Sequence, residues 1–274
     1  MLRFRSERLS IALCPGQVAV LTSKRGPQGA RAEPVVLAVA EDHDVPLWKN
    51  SVAVLADWLQ QQPPGRASAT LLVSNRFVRF ARVPWVESAQ GEAEAQALAM
   101  ACFESQYGDM RGWRFQLDDG AFGAPRLAFA MEGALLDALQ AVFDARKIPC
   151  PRVEPYFVTC WNRWHTELKT DEALFAVMES GTMVMASLKS GRWHSVRTLG
   201  GHHEASELAG LMNRESLLQG LADAPGHWLH APVLDQASLA AMGGTLHVLS
   251  AVSKTPAPSH FSAAQHMALV GEQA

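Results

Sequence analysis

The chain lacks the short signatures from which an enzyme is usually read. No GxxxxGK[ST] phosphate loop, GxGxxG fingerprint, HExxH metal pair or GxSxG nucleophile elbow occurs in its 274 residues. The chemistry that each of those spacings supports therefore has no starting residue. Cysteine is scarce and scattered: Cys14, Cys102, Cys150 and Cys160 form no CxxC pair. That spacing indicates neither a zinc site nor a disulfide framework, and buried free thiols are expected. An excess of charge of one sign is also missing. Twenty-four Lys and Arg stand against 27 Asp and Glu, a formal net charge of −3. No basic field exists to draw in nucleic acid, and none is expected as a partner. No apolar run approaches the roughly 20 residues of a membrane helix. Arg3, Arg5, Glu7 and Arg8 make the first residues too charged for the apolar centre of a secretory signal. A cytoplasmic product is expected.

What the chain does have is apolar content, 48% hydrophobic against 19% charged. That is enough for a sizeable core, in one large domain or two linked lobes. Residues 9–13 and 17–21 are short β-prone runs around Cys14-Pro15-Gly16, the pattern of a hairpin. A third strand is expected at 34–40. Residues 47–61 carry Val52, Val54, Leu55, Trp58 and Leu59 at helical spacing, stopped by Pro63-Pro64-Gly65.

Residues 69–85, ATLLVSNRFVRFARVPW, draw most attention. An apolar strand at 69–73 breaks at Ser74-Asn75, and Arg76, Arg79 and Arg82 then punctuate an apolar continuation before Pro84-Trp85. Side chains alternate faces along a strand, so neither face of 76–83 is purely apolar. Such a strand keeps one face or end exposed, or pairs its arginines with acids. Arg76, Arg79 and Arg82 are the candidate partner-binding residues. Trp85 is expected to be a core anchor between subdomains, and Tyr156, Trp161 and Trp164 to occupy a hinge between halves.

Further along, the pattern predicts a helix over 88–107, strands at 113–117 and 126–131, and a helix over 132–147. The apolar run 153–160 reads as extended. Strands at 173–177, 182–188 and 193–199 follow, separated by Glu179-Ser180-Gly181 and Lys189-Ser190-Gly191. A helical region over 204–221 and a last strand at 245–250 precede a flexible tail, 253–274. A three-strand meander followed by a helix thus occurs twice, with turn glycines Gly16 and Gly181 at equivalent points. Neither copy alone covers both faces of its sheet, so two packed units are expected.

This arrangement, with Leu72-Val73-Ser74-Asn75-Arg76-Phe77-Val78-Arg79 through Val83-Pro84-Trp85, resembles the actin-like scaffold proteins of type IV pilus and type II secretion systems. PilM, MshI and the cytoplasmic domain of GspL are members. The resemblance implies an α/β, actin-like fold of duplicated ribonuclease-H-like halves, with a subdomain like that of FtsA and PilM inserted in the first. The boundaries it implies are a first lobe at 1–165 with the insert at about 86–131, and a second lobe at 166–252. It further implies docking of the cytoplasmic tail of an inner-membrane pilus or secretion assembly protein, possible homo-oligomerisation, and membrane association only through that partner. The place implied is cytoplasmic or peripheral at the inner membrane.

Actin-like ATPases carry an Asp-x-Gly turn in each half, where amides cradle phosphates and the carboxylate handles the metal. In the first half the corresponding turn, Cys14-Pro15-Gly16, has the glycine and no acid, and Pro15 removes an amide donor. In the second, Glu179 stands near Gly181, with a longer side chain and read as shifted by one position. Gly16, Glu179 and Gly181 are therefore remnant phosphate turns, and no catalytic residue is assigned. No cofactor is expected; ATP with magnesium belongs to the alternative, a divergent actin-like nucleotide-binding ATPase. A relative of the sugar or acetate kinases would need an acidic base with no counterpart here. Gly200-Gly201 reads as a plain turn before a helix. His202-His203-Glu204 reads as a solvated loop, because adjacent side chains do not face one ion together. His227, His230 and His247 are dispersed.

Overall fold

The protein is described by a computed structural model covering residues 7–273, apart from 25–32, 43, 64–66, 90, 169, 202–203, 222–225, 242–245 and 251–260. In chain order the elements are β1 (Glu7–Cys14), β2 (Gln17–Lys24), β3 (Val35–Ala38), α1 (Lys49–Gln61), β4 (Ala67–Val73), β5 (Val78–Val83), α2 (Glu92–Tyr107), β6 (Trp113–Leu117) and β7 (Arg126–Glu132). Then come α3 (Gly133–Arg146), β8 (Arg152–Pro155), α4 (Tyr156–Trp164), β9 (Ala173–Glu179), β10 (Thr182–Lys189), β11 (Arg192–Gly200), α5 (Ala205–Leu218), β12 (His227–His230), α6 (Gln236–Ala241), β13 (Leu246–Val248) and α7 (Ala263–Gln273). The chain divides into two compact units. The first gathers Met1–Phe77, Gly133–Arg163 and Ala251–Ala274, and the second Val78–Glu132 and Trp164–Ser250.

The first unit is built on a five-stranded sheet of order β3-β2-β1-β4-β8. β1 runs antiparallel to β2, with Ile11 opposite Val20, and parallel to β4, with Ile11 opposite Leu71. Ser10 Oγ donates to the Ala268 carbonyl of α7 at 2.6 Å, and Cys14 Sγ lies 3.6 Å from Met267 Sδ. Even-numbered β1 residues therefore face α7, and by strand alternation Leu9, Ile11 and Leu13 line the opposite face. α7 sits so close that a methyl at Gly271 would collide with Leu72 Cδ1 and stand 2.7 Å from Ser10 Oγ. Between β4 and β5, Asn75 Oδ1 accepts the Phe157 N–H at 2.9 Å, satisfying a donor in the first turn of α4.

The second unit holds two sheets. One has the order β11-β10-β9-β12-β13, and the other is a three-stranded antiparallel sheet, β5-β7-β6. Leu174, Ala176, Met178, Met183 and Met185 bury against Leu208 and Met212 of α5. Ala81, Val83, Ala128 and Ala130 bury against Ala99 and Phe103 of α2.

The two five-stranded sheets share one topology: a three-strand antiparallel meander followed by two parallel strands. The turn glycines repeat it in detail. Val39 N–H, one residue past β3, donates to the Gly16 carbonyl at 2.9 Å. Gly201 N–H, one residue past β11, donates to the Gly181 carbonyl at 3.1 Å. The expected duplication is present.

Several expectations need correction. The run 153–160 is extended only as far as Pro155, where a helix takes over. Tyr156, Phe157, Cys160 and Trp164 are all buried, the spacing of one helical face rather than of alternation. The tail expected to be flexible contains α7, whose Ala264, Met267, Ala268, Leu269 and Val270 are buried. The α2 subdomain groups with the second unit rather than with the first sheet. β12 and α6 lie where no element was expected, and β13 is shorter than the strand expected at 245–250. Cys14 and Cys160 are buried, but Cys102 and Cys150 are only half-buried. Burial pushes the Cys150 thiol up to about 11.

Candidate functional site

The first turn is closed by Cys14 opposite Gln17. Pro15 and Gly16 form its two central positions, and Gly16 takes φ +76°, which a type II turn requires and glycine supplies without strain. Three features oppose phosphate binding there. Cys14 is buried against the Met267 thioether, so the position of the metal-handling acid is apolar. Pro15 has no N–H to offer. A Glu41 carboxylate oxygen lies 3.6 Å from where a Gly16 Cβ would stand, so the turn already faces a negative charge.

The second turn keeps more. Glu179 pairs with Thr182 as Cys14 pairs with Gln17, and Gly181 takes φ +77°. Glu179 is thus level with Cys14, in the acid position of the acid-x-glycine pattern, and is not shifted by one as the sequence suggested. Its side chain is buried. Gly200 ends β11 and Gly201 takes φ +114° beside the Gly181 carbonyl, so the glycine pair is part of the sheet's own closure.

The three arginines have different local settings. Arg76 is exposed in the short helical turn Asn75–Phe77. Arg79 lies over the rings of Tyr107 and Trp113, at 5.5 and 5.6 Å from their centroids. Arg82 Nε donates to the Trp193 carbonyl at 3.0 Å. Arg79 and Arg82 are three positions apart and point to opposite faces of β5. Trp85 is not a buried anchor: it is 39% exposed and meets Phe122, 80% exposed, edge to face at 5.5 Å.

Sequence reading missed the tie that holds the loop after β6. Trp193 Nε1 donates to Asp118 Oδ2 at 2.8 Å, Arg126 Nε donates to the Asp118 carbonyl at 2.6 Å, and an Arg192 guanidinium nitrogen donates to the Gly123 carbonyl at 3.2 Å. No spacing announces a contact over such separations. Burial raises the Asp118 carboxyl above the usual carboxylate range, partly offset by its hydrogen bonds and by Arg126. With the folded value above the unfolded one, at roughly 3.9, its contribution is full below the unfolded value and is lost as pH rises through the folded one. The wild type is therefore expected to lose melting temperature relative to Asp118→Asn between mildly acidic and neutral pH. A pH-independent difference between the two melts would contradict this.

His202 and His203 lie outside the described residues. Among the described residues no group of three His, Cys, Asp or Glu side chains is placed to hold a metal ion. His230 Nδ1 contacts the Leu249 carbonyl at 2.8 Å, and His247 stacks on Trp228. Also among the described residues, no helix is long and apolar enough to cross a membrane.

No family model matches this chain, and no curated protein matches it. Solved structures do. A Bacteroides thetaiotaomicron protein of actin-like ATPase fold and unknown function aligns at TM-score 0.60 and 9% identity, covering 91% of this chain and 94% of that one. The cytoplasmic domain of EpsL, an inner-membrane component of the Vibrio cholerae type II secretion system, aligns at TM-score 0.57 and 11% identity, covering 97% and 94%. The PilM–PilN type IV pilus biogenesis complex aligns at TM-score 0.63 and 11% identity, covering 97% of each chain. The chain has the actin-like fold.

Proposed function

We propose that this protein is a non-catalytic scaffold of a type IV pilus or type II secretion-like assembly, acting in the cytoplasm or at the inner-membrane surface. Its task is to bind the cytoplasmic tail of an inner-membrane partner, with self-association as part of the same reading. The observation that carries it is the first turn: an actin-like fold in which Cys14 replaces the metal-handling acid, Pro15 removes a donor and Glu41 faces the glycine. The choice of machine draws support from the fold shared, over nearly the whole chain, with an EpsL cytoplasmic domain and with a PilM–PilN complex. Divergent nucleotide binding remains the second reading because Glu179 keeps the acid-x-glycine position in the other half.

Affinity capture from detergent-solubilised inner membranes tests the proposal. An inner-membrane assembly component is expected to co-purify, and deletion of the gene is expected to stop pilus or secretion assembly. Capture of no such component, with assembly intact after deletion, would sink it.

A further inference from the structure

β3 ends the sheet order of the first unit, and its sequence, Val35-Val36-Leu37-Ala38, carries no charge. The Val39 N–H bond to Gly16 fixes the phase of the β2–β3 ladder. By the alternation of an antiparallel pair, Val35 and Leu37 turn their amides and carbonyls toward β2, while Val36 and Ala38 turn theirs to the outer edge. Val35 and Val36 point to opposite faces and are 47% and 42% exposed, so apolar surface flanks that edge on both sides. Proteins usually blunt such edges with lysine, proline or a bulge inside the strand, and among the described residues only Pro34, at its start, serves here.

Both ends of the edge are acidic. Glu33 precedes the strand, and Glu41 and Asp42 follow it, all exposed. The geometry points to β3 as a strand-addition site for an extended, aliphatic peptide segment carrying Lys or Arg at its ends. This inference rests on the scaffold reading: the segment is a stretch of the inner-membrane partner's cytoplasmic tail, a region in which Lys and Arg are enriched by the positive-inside rule. Backbone hydrogen bonds from Val36 and Ala38 supply the pairing, and Glu33 before the strand and Asp42 after it select the basic ends.

A second copy of β3 fits worse. The register that pairs Val36 with Ala38 of the other chain sets Glu33 opposite Glu41, and like charges directly opposed destabilise a ladder. Pairing Val36 with Val36 instead brings in Pro34, which has no N–H and whose carbonyl already accepts from Gln265 Nε2 at 3.1 Å.

The test uses the full chain and a fluorescent peptide, Lys-Arg-Thr-Val-Thr-Val-Arg-Lys, read by anisotropy. The peptide is expected to bind, and a counterpart with Glu at its four charged positions to bind about ten-fold more weakly. Val36→Pro removes an outward donor and no bond to β2, so binding is expected to vanish with circular dichroism and melting unchanged. Ala38→Pro, at the next outward position, should give the same loss and guards against a folding defect in the first variant. No binding of the basic-ended peptide, or binding unaffected by both prolines, overturns the inference. Capture of an inner-membrane component by Val36→Pro as efficient as by wild type overturns it while leaving the scaffold reading intact. Peptide binding at the edge with no component captured has the opposite meaning: the edge stands and the scaffold reading falls.

Discussion

A chain ending at Ser262 is expected not to fold. Met267, Leu269 and Val270 of α7 are almost wholly buried. At roughly 1.5–3 kcal/mol for each large apolar side chain withdrawn from water, the three together contribute about 5–9 kcal/mol. Domain stabilities are on the order of 5–15 kcal/mol, so this loss takes most or all of the margin. Truncation also strips the cover from the even-numbered residues of β1 and from Leu72 of β4, leaving the sheet centre open to water. Circular dichroism and a urea titration check it: loss of a cooperative transition is the expected result, and a transition like that of the full chain would contradict it. Met267→Ala is the graded form, with an expected cost of about 2–5 kcal/mol.

Phe103→Ala is expected to have the second largest effect. The ring is fully buried at the centre of the α2 cluster, 5.0 Å from Phe115 and 6.0 Å from Tyr107 between ring centroids. Ala81, Ala99, Ala128 and Ala130 around it are too small to collapse into the space it leaves. A cost of about 3–5 kcal/mol follows from lost transfer energy and the remaining cavity. Met100 lies on the same helix but is 45% exposed, and Met100→Ala should stay within about 0.5 kcal/mol of wild type. Denaturant midpoints of the two variants decide the matter. Equal midpoints would mean that Phe103 does not organise this cluster.

Much of the fold is legible in the sequence because its signals are local. Pro15-Gly16, Ser180-Gly181 and Ser190-Gly191 mark tight turns at glycines of positive φ, and the strands on either side alternate or run apolar as buried strands do. The duplicated meander was readable for that reason. The parts that were not legible depend on distant partners. Residues 156–164 form a helix whose buried face and first-turn donor are satisfied by other parts of the chain, Asn75 among them. α7 follows a stretch rich in proline and small residues, and its apolar face matters only because a sheet more than two hundred residues earlier in the sequence waits for it. β12 is four residues long, too short for periodicity to show.

The candidate site was legible by residue type and less so by position. That Cys14 and Pro15 bring neither an acid nor an amide donor to the turn is plain from the sequence, but Glu41 facing Gly16 has no sequence signal. Glu179 stands two residues before Gly181 as Cys14 stands before Gly16, a spacing already in the sequence, and the two hairpin registers set them level. The arginines of β5 looked like one patch because they are close in sequence. Strand alternation and the rings of Tyr107 and Trp113 separate them.

Phosphate binding is what separates an ATPase from a scaffold, and isothermal titration of the full chain with ATP and magnesium measures it directly. No saturable heat is expected, either for the wild type or for Glu179→Ala. Micromolar binding by the wild type that Glu179→Ala abolishes would contradict the account.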